Sequence, residues 1–394
     1  MKYSSISMLV AWTFLAATQL HAAPPASTTD YSSLIESPQQ PNRGGFDSLT
    51  LEQMMQKLQV PGASIAVIRD FNVHWAKGYG VADVESGAKV DTNTLFQAAS
   101  ISKPVTAMAL LRAAQDGKFS LDDDINSLLR SWKLAGGEFT KDRPVTPRAL
   151  ASHTSGLGDG FGFPGYGPAE ALPTLAQILT GQPPSNVGTV LMERPPLQAI
   201  KYSGGGFVVL QLALTDTLEQ PFPEIMRSYV LEPIGMTNST FEQPLSPARD
   251  QNAARGHDNQ GKSMGDKWHV YPELAAAGLW TTPTDLAKFA IEIQKSLHGQ
   301  ANRVLSKASV QDMLSPVGVG EYGVGMALEK KGQGWYFQHG GSNWGFICLL
   351  HAHKIKGYGL VVMTNSYSGP FNNEIRDRVE RAYGWDSLDK PLPR

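Results

Sequence analysis

The sequence predicts a mixed α/β (α+β) fold, an antiparallel sheet flanked by helices with a second, mostly helical lobe. Three observations predict it. Strand-like segments lie near both ends of the chain, helical patterns fill the middle without convincing strands between them, and short Gly and Asn turns join consecutive strand segments. Short turns of that kind favour antiparallel pairing over crossover connections.

In chain order, residues 49–58 read as a first helix stopped by Pro61-Gly62. Residues 63–69 and 73–81 read as a strand pair turned at Asp70-Phe71-Asn72. Helical patterns follow at 104–115, 121–129, 146–152, 172–179, 207–219 and 223–230. Alternation returns at 322–328, 334–339, 344–351 and 358–364, and a last helix is expected over about 371–383. This order implies one domain over 48–385. Its mixed lobe draws on about 48–100 and 300–385, and a helical lobe of about 101–299 is inserted between them. A substrate site is expected where the lobes meet.

The 394 residues carry a formal charge of −2, with Lys and Arg scattered, so no basic field marks a nucleic-acid partner. Residues 1–22 have the pattern of an export signal: Lys2 is their only charge, Met8 to Ala17 is apolar, and small residues surround Ala22 and Ala23. The segment is too short and loosely apolar for a stable membrane span, so a periplasmic or secreted location is expected. Residues 23–47 read as a Pro- and Ser-rich arm and 386–394 as a tail. Cys348 is the sole cysteine and can form no internal disulfide; its apolar run, 346–350, reads as a buried strand. His351 with His353, and His257 with His269, lack the spacing of a zinc site, so no metal is expected. His153 is expected to stabilise a helix-to-loop corner. Residues 154–173 alternate glycines with Phe161, Phe163 and Tyr166, a composition suited to a lid or cleft wall.

The chemistry-bearing residues fall into three short runs. Ser100-Ile101-Ser102-Lys103-Pro104 opens a helical segment, and residues three apart on a helix have Cβ atoms about 5–6 Å apart. A lysine amine can therefore reach a serine hydroxyl, which needs a neighbouring base to act as a nucleophile. A helix starting there would also turn unpaired N–H groups toward a developing oxyanion. Lys201-Tyr202-Ser203-Gly204-Gly205-Gly206 precedes another helix; beside Lys103, the Tyr202 phenol could act as base and later return a proton. These glycines lack the pattern of a nucleotide loop. In Gln338-His339-Gly340-Gly341-Ser342-Asn343, two glycines at a strand edge let substrate lie against exposed N–H groups, and His339 could bond substrate or tune Tyr202.

Taken in order, these runs resemble the serine β-lactamase and penicillin-recognising family, on the branch holding class C β-lactamases, D-Ala-D-Ala carboxypeptidases, D-aminopeptidases and related esterases. Ser100-x-x-Lys103 matches the family's first motif, Tyr202-Ser203-Gly204 its Tyr-x-Asn element and His339-Gly340-Gly341 its Lys/His-x-Gly strand. Further similar stretches are Pro61-Gly62-Ala63, 152–157, 232–236 and 278–283 leading to Asp285-Leu286. The resemblance implies Ser100 as acylated nucleophile, Lys103 as holder or receiver of its proton, Tyr202 as base and acid, and the N–H groups of Ser100 and Ser342 as oxyanion hole. Ser203, Gly204, His339, Gly340 and Gly341 would line the substrate, with no cofactor. Two departures bear on the substrate: Gly204 replaces the family's Asn, and His339 is a weaker cation than lysine for a β-lactam carboxylate. A secreted acyl-enzyme hydrolase of a small ester or amide, of esterase or D-peptidase type, is the reading they favour. A class C-like β-lactamase and a non-catalytic penicillin- or cell-wall-binding protein are the alternatives, and the partner is a small-molecule ester, amide, β-lactam or D-amino-acid peptide.

Overall fold

The computed structural model describes residue 1 and residues 29–39, 45–159 and 162–389. The expected export signal, much of the arm, the last five residues of the tail, and Gly160 and Phe161 of the glycine-aromatic stretch lie outside the described residues.

The main sheet has six strands: β1 (Gly62–Arg69), β2 (Asn72–Gly80), β5 (Ala327–Lys331), β6 (Gly334–Asn343), β7 (Phe346–His353) and β8 (Gly359–Thr364). They run in the order β2-β1-β8-β7-β6-β5, antiparallel at every pairing. Two short strands, β3 (Phe96–Gln97) and β4 (Trp280–Thr281), pair separately. The sheet is covered on both faces, which explains why its central strands are apolar at consecutive positions. Ala63, Ile65 and Val67 of β1 point into one core with Leu360 and Val362 of β8. Ala66, Ile68, Val361 and Met363 point into the other, as the period of two requires.

The helices are α1 (Tyr31–Glu36), α2 (Leu51–Lys57), α3 (Ser102–Gln115), α4 (Ile125–Leu128), α5 (Pro147–Ala151), α6 (Leu175–Thr180), α7 (Gly204–Leu218), α8 (Phe222–Met226), α9 (Glu232–Ile234), α10 (Pro247–Asp250), α11 (Leu274–Ala277), α12 (Pro283–Leu297), α13 (Lys307–Met313) and α14 (Gly369–Tyr383). Helix α14 supplies Phe371, Ile375 and Val379 to the core that contains Met54 of α2. Helix α12 lies against β1 and β8 on the other face. The buried guanidinium of Arg378 donates to Ile35 O at 3.0 Å, Phe46 O at 2.9 Å and Leu49 O at 2.8 Å, fastening the chain before α2 to α14.

The structure differs from the sequence reading in several places, the first being the helix read over 121–129, of which only α4, Ile125–Leu128, is helical because Asp124 caps it there. Residues 322–326 are not strand: Gly325 has φ +91°, and Gly323 N bonds Met326 O in a turn, so β5 begins only at Ala327. Strand β6 runs on to Asn343, and Trp344-Gly345 is the turn into β7, with Gly345 at φ +74°. Residues 223–230 divide into α8 and a π-type turn, Arg227–Leu231. Helices α12 and α13 were not expected, although α12 is announced by its cap: Thr282 Oγ1 accepts from Asp285 N at 3.2 Å, with Pro283 in the first turn.

Candidate active site

Ser100 follows a backbone conformation that most residues avoid. Ala99 has φ +49°, in the left-handed region where a Cβ costs roughly 1–2 kcal/mol. The turn is held from below. The buried hydroxyl of Ser102 donates to Ala99 O at 2.6 Å and accepts from Leu279 N at 3.0 Å, while Ala98 N donates to Leu279 O at 2.8 Å. Ser100 therefore lies in a 3-10 turn, Ala99–Ile101, which leads into α3 at Ser102, two residues before the 104–115 span read from the sequence. The spacing of three still works: Lys103 Nζ donates to Ser100 Oγ at 3.1 Å and to Ala276 O of α11 at 2.9 Å.

Lys103 is 2% exposed, and no ion pair to it occurs among the described residues. Burial disfavours its charged form and pulls the ammonium down to about 7, against a smaller opposing pull from the Asp159 carboxylate. Around neutrality much of this lysine is a free amine in contact with the serine hydroxyl.

Tyr202 stands just before α7 and closes the site from the other side. Its phenol hydrogen-bonds the Ser100 hydroxyl, and burial pushes it up to about 12. Lys103 Nζ sits 4.9 Å from its ring centroid. The start of α7 is clamped by two residues outside the expected site. Asp159 accepts from Ser203 Oγ at 2.5 Å and from Gly205 N at 2.9 Å. His153, itself at φ +60°, accepts from Ser203 N through Nδ1 at 3.1 Å and lies 4.4 Å from the Tyr202 ring, centroid to centroid. His153 thus shapes the site as well as its corner. Asp159 is hidden in a glycine-rich run whose composition suggests a mobile wall, and Tyr322 in a segment whose alternation suggests a strand; neither carries a signal of its own in the sequence.

Ser203, expected to touch substrate, is fully buried, and its hydroxyl also caps α7 by accepting from Gly206 N at 2.8 Å. It has no hydroxyl to offer a ligand. Gly204, the other half of that expectation, is buried in the first turn of α7.

Strand β6 forms the third wall. Gly340 and Ser342 are exposed and Gly341 is buried. A Cβ on Gly341 would collide with Ala98 O and Cys348 Sγ, so glycine is what lets β6 press against the turn carrying Ser100, with Ser342 next in line. Cys348 is buried in β7 and its thiol donates to Ala98 O at 2.9 Å. His339 does not supply the cation for which a lysine would be used. Its ring is 7% exposed, Nδ1 bonds Gly340 O at 2.6 Å, and burial together with Lys103 pulls it down to about 3, so it is neutral. The rings of Tyr202 and Tyr322 flank it, with centroids at 6.3 Å and 6.5 Å.

A strained serine turn, a helix-borne lysine, a tyrosine at a second helix start and an exposed β6 edge, on this sheet, make a serine hydrolase-type fold. The family model described as Beta-lactamase matches residues 49–384, and the chain belongs to that family. Among curated proteins it is 24% identical over 329 residues to Protein flp of Staphylococcus aureus (strain N315), covering 80% of this chain and 61% of that one. It is also 29% identical over 242 residues to a Beta-lactamase of Lysobacter lactamgenus, covering 60% and 56%. The chain thus spans about three fifths of the length of these relatives. Among solved structures, D-amino acid amidase from Ochrobactrum anthropi SV3, complexed with L-phenylalanine amide, superposes with TM-score 0.68 at 22% identity, covering 90% of this chain and 99% of that one. The octameric penicillin-binding protein homologue from Pyrococcus abyssi gives 0.68 at 22%, covering 87% and 79%. D-alanine carboxypeptidase AmpC from Burkholderia cenocepacia gives 0.67 at 19%, covering 90% and 99%.

Proposed function

We propose that this protein hydrolyses small carboxylic amides or esters through an acyl-enzyme on Ser100. The observation that carries the reading is the buried Lys103 amine, brought down to about 7 and bonded to Ser100 Oγ at 3.1 Å. A general base works best with a pKa near the working pH. Lys103 therefore takes the serine proton, and Tyr202, held as a phenol at about 12, passes protons on and is not the resting base. Ser100 Oγ bonds the carbonyl carbon, the oxygen turns toward the N–H groups of Ser100 and Ser342, and the C–N or C–O bond breaks. The amine or alcohol leaves with the proton taken from Ser100. Water then attacks the ester and the serine is restored.

Amides and esters of D-amino acids are the substrate class we favour, supported by the fold shared with D-amino acid amidase. A β-lactamase activity is the second reading, supported by the Lysobacter relative. Residues 1–22 would export the protein to the periplasm or medium, a reading that rests on their residue pattern. Intact-mass labelling with p-nitrophenyl esters, penicillin and D-alanyl peptides tests the function. An acyl adduct present in the wild type and lost in Ser100→Ala is expected, whereas an adduct that persists in Ser100→Ala removes the nucleophile assignment.

A further inference from the structure

The carboxylate that acts on Lys103 is that of Asp159, and the acyl-transfer chemistry above makes no use of it. Asp159 is half-buried, so a ligand can reach it. Its bonds are to neutral donors at the start of α7, Ser203 Oγ at 2.5 Å and Gly205 N at 2.9 Å. A Cβ on Gly205 would collide with Val190 and crowd Asp159 Cγ, so glycine is what leaves the carboxylate room there. A carboxylate has about four acceptor positions, and two bonds leave it capacity for more. The helix start lends it roughly half a positive charge. No cationic side chain is bonded to Asp159 among the described residues. Lys201 Nζ is taken by Glu193 at 2.8 Å, and Lys103 Nζ by Ser100 and Ala276. Burial is the largest influence on Asp159 and pushes its carboxyl up, as expected of a carboxylate short of positive charge.

The other ionisable groups around Ser100 do not make up that charge. Burial keeps His153 and His339 neutral, and much of Lys103 is a free amine around neutrality. A substrate with an ammonium next to its scissile carbonyl brings the missing cation. Its charge-assisted hydrogen bond to a partly desolvated carboxylate is stronger than one between neutral groups. An N-acylated substrate has only an uncharged amide at the same place and leaves the carboxylate as it was. We propose that Asp159 is a specificity residue that binds the free α-ammonium of an aminoacyl substrate, so that the enzyme cleaves amides and esters of unblocked amino acids in preference to N-acylated compounds. Penicillins, whose side chains are N-acylated, fall on the disfavoured side. This rests on the acyl-enzyme reading above and names the acyl group it takes. The contact also acts on the base: an ammonium paired to Asp159 cancels the pull that favours protonated Lys103, so substrate binding helps to free the amine.

The test compares D-alanine p-nitroanilide with N-acetyl-D-alanine p-nitroanilide. They share a leaving group and differ at the α-nitrogen, which at about pH 6.5 is charged in the first and uncharged in the second. The kcat/KM of the free amine is expected to be higher by at least about tenfold, the worth of one hydrogen bond to a charged group. Asp159→Asn is expected to reduce that ratio by at least about tenfold, through KM, and Asp159→Glu to keep the preference for the free amine. A role confined to holding α7 would lower both anilides and p-nitrophenyl acetate together and leave the ratio unmoved in Asp159→Asn, which overturns the proposal. Equal kcat/KM for the two anilides in the wild type, preference for the N-acetyl compound, or cleavage of neither while p-nitrophenyl acetate acylates Ser100 also overturns it, even if neither variant folds. Absence of any Ser100 adduct from p-nitrophenyl acetate would instead overturn the acyl-enzyme reading, and this inference with it.

Discussion

The protein buries two clusters of ionisable groups, and they are built on opposite rules. At the far end of β7 the charges are paired. Lys331 Nζ donates to both oxygens of the fully buried Glu380, at 2.7 Å and 2.6 Å, with His351 beside it at 3.5 Å. Asp386 accepts from Lys356 Nζ, Tyr336 Oη and Tyr358 Oη, each at 2.6 Å. At Ser100 the lysine bonds a hydroxyl and a carbonyl, and no carboxylate pairs with it among the described residues. A carboxylate bonded to Lys103 would hold it protonated and abolish its basicity. One cluster therefore serves the fold and the other serves chemistry, and perturbed groups without charge partners mark the second.

That contrast can be broken from either side. The largest effect is expected from Ser100→Ala, which removes the atom that bonds substrate and should lower ester turnover by about a thousandfold or more, measured as kcat/KM. Lys103→Arg keeps the charge but cannot supply a neutral amine; acylation should fall by about a hundredfold or more, while the denaturation midpoint moves far less. In the paired cluster the outcome reverses. Glu380→Gln leaves Lys331 buried without its counterion, so chemical denaturation should show a loss of roughly 3 kcal/mol, with kcat close to the wild-type value in the folded fraction. Asp159→Asn should have the smallest effect. Its carboxylate favours the protonated form of Lys103, so neutralising it lowers the pKa of the amine. The rise of acylation with pH should then shift to lower pH, read from a pH profile of the burst rate.

The sheet and the nucleophile pair were legible because each depends on neighbours in sequence. The apolar runs of β1 and β8 and the spacing of Ser100 and Lys103 are local patterns. Tyr202 and the His339 strand became meaningful through family resemblance, since 98 residues of sequence separate Lys103 from Tyr202 with no local rule linking them. Asp159, His153 and Tyr322 stayed hidden for a different reason. Their importance comes from tertiary partners: Asp159 from the N–H groups of α7, His153 from Ser203 N, and Tyr322 from the rings it faces. The opposite failure occurred at Ser203, whose neighbour Tyr202 suggested contact with substrate although the helix start consumes its hydroxyl. At α12 the signal is local and present in the sequence, in the capping Thr282 with Pro283 and Asp285 in the first turn.

The claim on which this account depends is that the neutral amine of Lys103 takes the proton of Ser100. The pH dependence of the pre-steady-state acylation burst with a p-nitrophenyl ester tests it directly. The expected rate climbs with pH through a midpoint of about 7, as the amine loses its proton, and then levels. A burst rate that is flat across neutrality, or that begins to climb only near the pKa of an ordinary lysine or phenol, would contradict it.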